Sequence, residues 1–256
     1  MSDTVREFAV GNRPEIVIAV FSTDITVSEG SAGLIKVEIE GAERDRDLVE
    51  IIHAGDVVTI RSRKSGHRWL GRGVSVHLTI PAATAVTART ASGDLRFSVP
   101  ISDVEIDVSS GDVHLASLSG RGTIKAASGD ITIGDVAGGI RISTSSGDVR
   151  IDEFDGDGSI KTASGDIRIG DAHGSISVKT ASGDVTIRQF SGVMLEAAAA
   201  FGDFDIGLVS GMSIEADIKT RSGQFRNLTS PSSENGELSI SATMQLRTMS
   251  GDITLR

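Results

Sequence analysis

The chain has 256 residues, 39% of them hydrophobic and 23% charged, which is enough apolar material for a core and excludes an extensively disordered chain. Aromatic residues are only 4% and the formal net charge is −10, so a stacking platform for single-stranded nucleic acid and general binding to polyanions are both disfavoured. The chain has no cysteine, which excludes a disulfide framework, a zinc–thiolate site and a thiol nucleophile.

The first residues carry no targeting signal that the sequence reveals. A basic patch followed by an apolar stretch, which is typical of a secretory signal, is missing after Met1. No apolar run approaches the ~20 residues of a membrane span. We therefore expect a cytoplasmic protein without a membrane span.

Residues 1–80 are predicted to form an irregular N-terminal β region that caps the rest of the chain. The segments Ser22–Val27 and Ala54–Ile60 each look like a degenerate turn followed by a strand. Between residues 74 and 80, aliphatic and polar side chains alternate, which predicts a half-buried strand that ends at Pro81. Terminal units of a repeat protein are expected to be atypical because one side faces water.

A basic segment interrupts this acidic region between residues 61 and 72. It contains five Arg or Lys residues and the only Trp of the chain. One interpretation is a solvated hairpin loop. The alternative is a docking point for a protein partner, since Trp and Arg dominate interface hot spots. The interaction candidates are Arg61, Arg63, Lys64, Arg68, Trp69 and Arg72.

From residue 81 onward the sequence repeats. The tripeptide Ser-Gly-Asp recurs at intervals of exactly 18 residues, and its glycines are Gly93, Gly111, Gly129, Gly147, Gly165 and Gly183. The intervals then lengthen, with further glycines of the motif at Gly202, Gly223 and Gly251. The longest interval contains the segment 229–236, which has the composition of a loop inserted into a regular stack.

Each repeat alternates inward and outward residues on both sides of its glycine. Positions five and three before the glycine, and two and four after it, are mostly aliphatic or Thr, with polar residues between them. This period of two predicts two short strands per repeat, and helical periodicity is missing. A further apolar column, seven residues after the glycine, is expected to line a second corner and contains Pro100, Leu118, Val136, Phe154, Ala172 and Phe190.

These repeats predict an all-β fold, a single-stranded parallel β-helix (β-solenoid) with ~18-residue rungs over residues 81–256. One repeat cannot bury its own apolar face, whereas stacked repeats roughly 4.8 Å apart bury each other and pair their backbone groups. The usual crossover rule predicts a right-handed coil. The six glycines are expected to form the turns, because glycine tolerates the positive φ that other residues resist.

An aspartate follows each glycine, and the stack should place these carboxylates in one column. We interpret the column as turn-forming, with each carboxylate accepting a backbone N–H bond that offsets repulsion between neighbours. The alternative is a row of weak Ca²⁺ sites, since Ca²⁺ favours carboxylate oxygens. The candidates for that role are Asp130, Asp148, Asp166 and Asp184.

Catalysis and cofactors find little support in the repeats. A nucleophilic Ser needs an adjacent base, but the five histidines do not recur with the serines of the motif. The outward Lys and Arg columns, such as Lys161 with Lys179 and Arg150 with Arg168, are expected to relieve the aspartate charge; a groove for an acidic polymer or partner is the alternative. We predict no catalytic residue, no cofactor and no small-molecule ligand.

The last eight residues, 249–256, form a complete rung motif with nothing after it. Unless residues 229–248 fold over it, this rung would expose an unpaired strand edge, and natural proteins usually cover such edges. The sequence therefore predicts that a second copy or another protein covers the last rung.

The rungs of the form [Ala/Ser]-Ser-Gly-Asp-[Ile/Val]-x-[Ile/Val] and the strand at 74–81 resemble the toastrack domains, a family of adhesin-like bacterial β-solenoid proteins. The resemblance covers about residues 8–256. It implies a single-stranded right-handed β-helix without established catalytic residues, in proteins linked with cell-envelope stress or surface attachment.

Together these observations predict a non-enzymatic scaffold or protein-interaction module that self-associates or binds a protein partner. Parallel β-helices also host polysaccharide-binding and polysaccharide-degrading proteins, but such enzymes use an acid–base set in a long groove lined by aromatic residues. A third possibility is a solenoid that assembles into filaments, which would need both ends free of caps.

Overall fold

The computed structural model describes residues 4–63, 74–229 and 241–256. These residues form 24 β-strands and one four-residue helix, α1 (Glu43–Arg46). The predicted fold class is confirmed: the protein is an all-β, right-handed parallel β-solenoid. Its contacts divide the chain into two units, residues 1–132 and 133–256, with the division inside strand β12 (Ile131–Val136). In the described ranges, no helix is both long and apolar enough to cross a membrane.

The first unit contains eleven complete strands. In chain order they are β1 (Thr4–Ala9), β2 (Glu15–Ser22), β3 (Asp24–Glu29), β4 (Leu34–Glu40), β5 (Val49–Ala54), β6 (Val57–Ser62), β7 (Ser75–Ile80), β8 (Thr84–Ser92), β9 (Leu95–Ser110), β10 (Val113–Leu118) and β11 (Gly122–Ser128).

Parallel layers of this unit begin before the regular repeats. We call a layer two strands joined by a glycine–aspartate corner or its equivalent. Strands β2 and β3 form one such layer, because β2 pairs in parallel with β8 and β3 pairs in parallel with β9. The segment Ser22–Val27 is thus a genuine layer corner, with Thr23 where the repeats have glycine.

Antiparallel strands complete the N-terminal region. Strand β5 pairs with β6 as a hairpin whose turn contains Gly55, so Ala54–Ile60 is a hairpin and not a solenoid corner. Strand β4 pairs antiparallel with β7, and β1 pairs antiparallel with β4. Strands β1, β4 and β5 thus pair only antiparallel in the described chain, whereas β6 and β7 also pair in parallel with β2 and β3.

The second unit contains twelve complete strands. They are β13 (Ile140–Ser146), β14 (Val149–Phe154), β15 (Asp157–Ser164), β16 (Ile167–Ala172), β17 (Ser175–Ser182), β18 (Val185–Phe190), β19 (Met194–Phe201), β20 (Phe204–Leu208), β21 (Ser213–Ser222), β22 (Phe225–Asn227), β23 (Ser241–Ser250) and β24 (Ile253–Leu255).

Equivalent strands of the second unit stack in parallel and in the register that the 18-residue period predicts. Ile142 lies opposite Ile160, which lies opposite Val178. On the other side of the corner, Val149 lies opposite Ile167, and Ile167 opposite Val185. Each of these side chains is at most 1% exposed, so every column forms a continuous aliphatic interior.

The C-terminal rung does not lie at the end of the stack, and the prediction that a second copy or another protein covers it is wrong, because β21 and β22 of the same chain pair with it. Strand β23 pairs with β19 on one side and with β21 on the other. Strand β24 likewise lies between β20 and β22. In space, the layer of β23 and β24 therefore lies between the layer of β19 and β20 and the layer of β21 and β22. The outermost described layer is formed by β21 and β22, although β23 and β24 come later in the chain.

The second apolar corner differs from the prediction at one place. Leu118 pairs with Ile101, and the exposed Pro100 pairs with Ser117, because the register shifts by one residue within β10. Ile101 therefore supplies the buried side chain of this column, whereas Phe154, Ala172 and Phe190 are buried as expected.

The corner glycines allow the layers to approach each other. Gly165 has φ +131°, and a Cβ placed on it would lie 2.2 Å from the carbonyl oxygen of Gly147 in the preceding layer. The other corner glycines of this unit repeat the pattern; for example, a Cβ on Gly183 would lie 2.1 Å from the Gly165 oxygen. A larger residue here would force two layers apart.

We expect Gly165→Ala to destabilise the protein more than Gly55→Ala. Gly55 also has a positive φ, +62°, but its added Cβ would meet no atom within 4 Å. Gly55→Ala should therefore cost only the conformational strain, about 1–2 kcal/mol, whereas Gly165→Ala adds the clash with Gly147. Urea unfolding of both variants measures the difference, and equal losses would contradict this account of the corner.

Candidate functional site

The aspartate column lies along the glycine corners, and within each unit its carboxylates accept backbone N–H groups of the next layer. In the second unit the N–H of Asp166 donates to Asp148 Oδ1 at 2.9 Å, and the N–H of Asp184 donates to Asp166 Oδ1 at 2.9 Å. The series continues through Asp203 and Asp252 to the N–H of Gln224. In the first unit the same bond links Asp24, Asp94, Asp112 and Asp130.

Arg168 neutralises part of this column. Its Nη1 lies 2.9 Å from Asp148 Oδ2, and its Nη2 lies 2.7 Å from Asp166 Oδ2. The hydrogen bond from the Asp166 backbone N–H is the main cause that holds the pKa of Asp148 below its ordinary value, and Arg168 lowers this pKa further. In turn, the carboxylates of Asp148 and Asp166 raise the pKa of Arg168. Both oxygens of Asp148 therefore have donors, which leaves them poorly available to a cation.

A groove of about 470 Å³ runs beside this cluster and is lined in part by Arg150, Arg168 and Arg188. Arg150 pairs with Asp152, and Arg188 pairs with Asp171. Because each guanidinium contacts a carboxylate of the same chain, the arginine columns relieve charge as the sequence predicted. The geometry gives the acidic-partner alternative no additional support.

The basic segment is described only at its beginning. Arg61 lies on β6, and its Nε contacts Glu50 Oε2 on β5 at 2.9 Å. Arg63 is exposed, and its backbone N–H donates to the Leu48 carbonyl at 2.7 Å. Lys64, Arg68, Trp69 and Arg72 lie outside the described residues, so the docking point stays a prediction.

Sequence reasoning missed one cluster of possible metal ligands. Ligand atoms of Glu153, Asp155 and His173 lie within 4.8 Å of one another. All three residues are exposed, and His173 Nδ1 contacts the hydroxyl of Ser191. The residues come from neighbouring layers at a second corner, where the sequence has no recurring ligand pattern that could have revealed them. Exposed acidic groups are common without an ion, so this cluster assigns no function.

The most distinctive surface of the second unit is its outermost described layer, formed by β21 and β22. Phe225 occupies the column of Ile253, yet Phe225 is 47% exposed and Ile253 is fully buried. Ile218 occupies the column of the buried Leu246 but is only half-buried. Leu228 is 66% exposed. Positions that are buried in the neighbouring layer are therefore exposed or half-exposed in the layer of β21 and β22.

These side chains line an open groove of about 1320 Å³. Its described lining combines apolar and polar surface in similar amounts; the apolar part runs from Leu208 on β20 to Leu255 on β24, and Lys219 and Arg256 supply its charges. None of the described lining residues is Asp, Glu or His. The described lining therefore does not supply the pair of carboxyl groups that glycoside hydrolysis normally requires.

We expect millimolar Ca²⁺ to leave the melting temperature of the protein unchanged. Backbone N–H groups and Arg168 already contact the carboxylates of Asp148 and Asp166, so an ion would have to displace them. Thermal unfolding with and without Ca²⁺ measures this. A rise that Asp166→Asn abolishes would instead establish the column as a cation site.

The stabilising effect of the Asp148 carboxylate should depend on pH. A carboxyl whose pKa is lower in the folded than in the unfolded chain stabilises above its unfolded pKa, and this stability is lost as pH falls through the folded pKa. The Asp148 side chain is 45% exposed, so we expect Asp148→Asn to cost about 1 kcal/mol or less at pH 7. Urea unfolding at decreasing pH should show the difference from wild type vanish; a difference that persists in strong acid would contradict this.

The chain is similar to solved structures at low sequence identity, and the first of the two described here, with a TM-score above 0.5, shares its fold. A protein of Bacteroides fragilis NCTC 9343, named as a candidate adhesin, is 14% identical, with a TM-score of 0.60 over 81% of this chain and 97% of that chain. A candidate lipid-binding protein of Parabacteroides distasonis ATCC 8503 is 13% identical, covers 99% of this chain and 96% of its own, and has a TM-score of 0.40. No curated protein matches the chain.

The family is decided by the sequence model rather than by these structures. The model described as Toastrack DUF4097 matches residues 14–256, which is nearly the whole chain and includes every glycine–aspartate corner. The stacked layers and the corner motif agree with the resemblance seen in the sequence. The protein belongs to the toastrack (DUF4097) family.

Proposed function

We propose that this chain is a non-enzymatic β-solenoid module that binds a protein partner through the layer formed by β21 and β22. The observation that carries the proposal is the exposure of Phe225 in a column whose next member, Ile253, is fully buried. Apolar side chains left exposed at positions that the neighbouring layer buries indicate a candidate interaction site, whereas isolated exposed apolar residues are ordinary.

The chemistry of the groove supports binding rather than catalysis. Its lining combines the aliphatic side chains of Ile214 and Ile218 with the aromatic ring of Phe225. A protein partner could cover these side chains and add a strand to the edge of β21 with which no described strand pairs. The name of the Bacteroides fragilis protein that shares the fold fits a binding role.

The first unit disfavours a filament that continues the layers in register. Its N-terminal strands β1 and β5 pair antiparallel with their neighbours. Such strands do not present the parallel edge that a head-to-tail stack of identical copies would extend. We therefore propose a discrete complex.

Photo-crosslinking tests the proposed surface. The full chain carries a benzophenone amino acid at Phe225, or as a matched control at Val193, an apolar residue of the same unit that is 59% exposed. We expect a discrete protein adduct in cells from position 225 and none from position 193, because only position 225 lies in the groove. An adduct of equal yield at both positions, or none at either, would contradict the proposal.

The mass of the adduct identifies the class of partner. An adduct between two copies of this chain and an adduct with a different protein both support a binding surface at β21 and β22. Cleavage of a polysaccharide by the wild-type chain, lost in a variant of the groove, would overturn the non-enzymatic proposal.

A further inference from the structure

Strand β21 is an edge strand in the described part of the second unit. It pairs in parallel with β23 along its whole length, and no other described strand pairs with its opposite side. A ten-residue edge presents unpaired backbone N–H and C=O groups and is a template for pairing with another chain. A chain that pairs with this edge would form hydrogen bonds with these backbone groups and cover the inward side chains beside them.

The outward side chains of β21 carry charges in an unusual order. Reading along the strand, Glu215 and Asp217 are followed by Lys219 and Arg221. The neighbouring β23 has Thr243, Gln245, Arg247 and Met249 at the paired or equivalent outward positions, so the pattern is not a property of the repeat. Two acids followed by two bases complement themselves when a second copy of the strand runs antiparallel.

Only one antiparallel register matches every charge. Directly opposite residues in an antiparallel pair lie on the same face of the sheet. The inward side chains of both copies therefore lie on one face only if a residue lies opposite its own equivalent, that is, if the two-fold axis is at a residue and not between two residues. With the axis at Ile218, Glu215 faces Arg221 of the second copy and Asp217 faces its Lys219.

Neighbouring registers place like charges together. With the axis at Asp217, this residue would face its own copy, and with the axis at Lys219, two lysines would face each other. Like charges directly opposite are destabilising in a sheet. The sequence of β21 thus selects the register centred on Ile218.

The same register completes the interior. Ile218 meets Ile218 of the second copy, and Ala216 meets its Thr220. These three positions belong to the inward column that is buried in β23, where Met244, Leu246 and Thr248 are at most 5% exposed. A second copy would therefore bury the half-exposed side chains of β21 against their equivalents.

Of the four outward charges of β21, two have no ion-pair partner among the described residues and two already pair with each other. Among the described residues, Glu215 and Arg221 have no ion-pair partner, and Asp217 contacts Lys219 and Arg247 at 3.1 and 3.2 Å on the exposed face. An edge that only had to prevent pairing would carry charges of one sign, which repel a second copy. Here the order of signs favours it.

We propose that two copies of this chain form a two-fold symmetric dimer through antiparallel pairing of their β21 strands, centred on Ile218. The proposal rests on the proposed function, because it names the partner that the terminal layer binds. The contact is isologous: each surface element meets its own equivalent, and the pairing closes after two copies.

Charge-reversed variants of the full chain test the dimer. Variant one carries Lys219→Glu and Arg221→Glu, which makes its edge wholly acidic; variant two carries Glu215→Lys and Asp217→Lys, which makes its edge wholly basic. We expect wild type to dimerise in sedimentation velocity at micromolar concentrations and each variant to dimerise roughly 100-fold more weakly. An equimolar mixture of the two variants should form a heterodimer, and the four changes combined in one chain should restore the homodimer.

The matched control is Arg141→Glu with Lys161→Glu. It changes the net charge as variant one does, on outward positions of β13 and β15 in the same unit, and it should dimerise like wild type. Circular dichroism of each variant verifies folding, and the heterodimer excludes misfolding as the cause of any loss.

Three results would overturn the dimer. The wild-type chain could stay monomeric at all concentrations; it could dimerise equally in both charge variants; or it could dimerise only after residues 231–239 are replaced by a Gly-Ser linker, which would assign the edge to that segment. A monomeric chain whose position 225 still crosslinks to a different protein would refute the dimer and leave the proposed function intact.

Discussion

In-register stacking of identical corners is the constraint on which the rest of the structure depends. The repeated layers lie so close that a Cβ on Gly165 would reach 2.2 Å from the Gly147 oxygen, so these layers need glycine at the corner; the layer of β2 and β3, which has Thr23 there, is the exception. Once the corner is glycine, the residue after it can place its carboxylate over the next backbone N–H, as Asp148 does with Asp166. The aliphatic columns then stack without a gap, because each layer repeats the path of the last.

This constraint also explains why the most recurrent residues do not identify a function. The aspartates accept backbone N–H bonds from the next layer, and Arg168 joins two carboxylates of adjacent layers. A column of carboxylates remains compatible with folding because hydrogen-bond donors from the chain itself compensate its charge. Functional specificity must therefore come from positions where the repeat is broken.

The terminal layer is such a position. Interior layers bury one another, but β21 and β22 have a described neighbour on one side only, so side chains of interior type such as Phe225 become part of the surface. The proposed binding surface consists of residue types that form the core in the other layers. The outward charged residues of β21 beside it depart from the repeat.

The sequence by itself determined the layers: the 18-residue period, the alternation around each glycine and the corner motif predict the strands, their parallel register and the buried columns. These features are local and are repeated in every layer, so each copy reinforces the inference. The order of the last layers was decided only by the tertiary structure. Strand β23 follows β21 in the chain yet lies between β19 and β21. Its alternation of inward and outward residues is the same as in the other layers, so the pattern does not predict this order. The exposed edge therefore belongs to β21 rather than to the C-terminal rung, since a stack of similar repeats does not encode in its sequence which copy comes last.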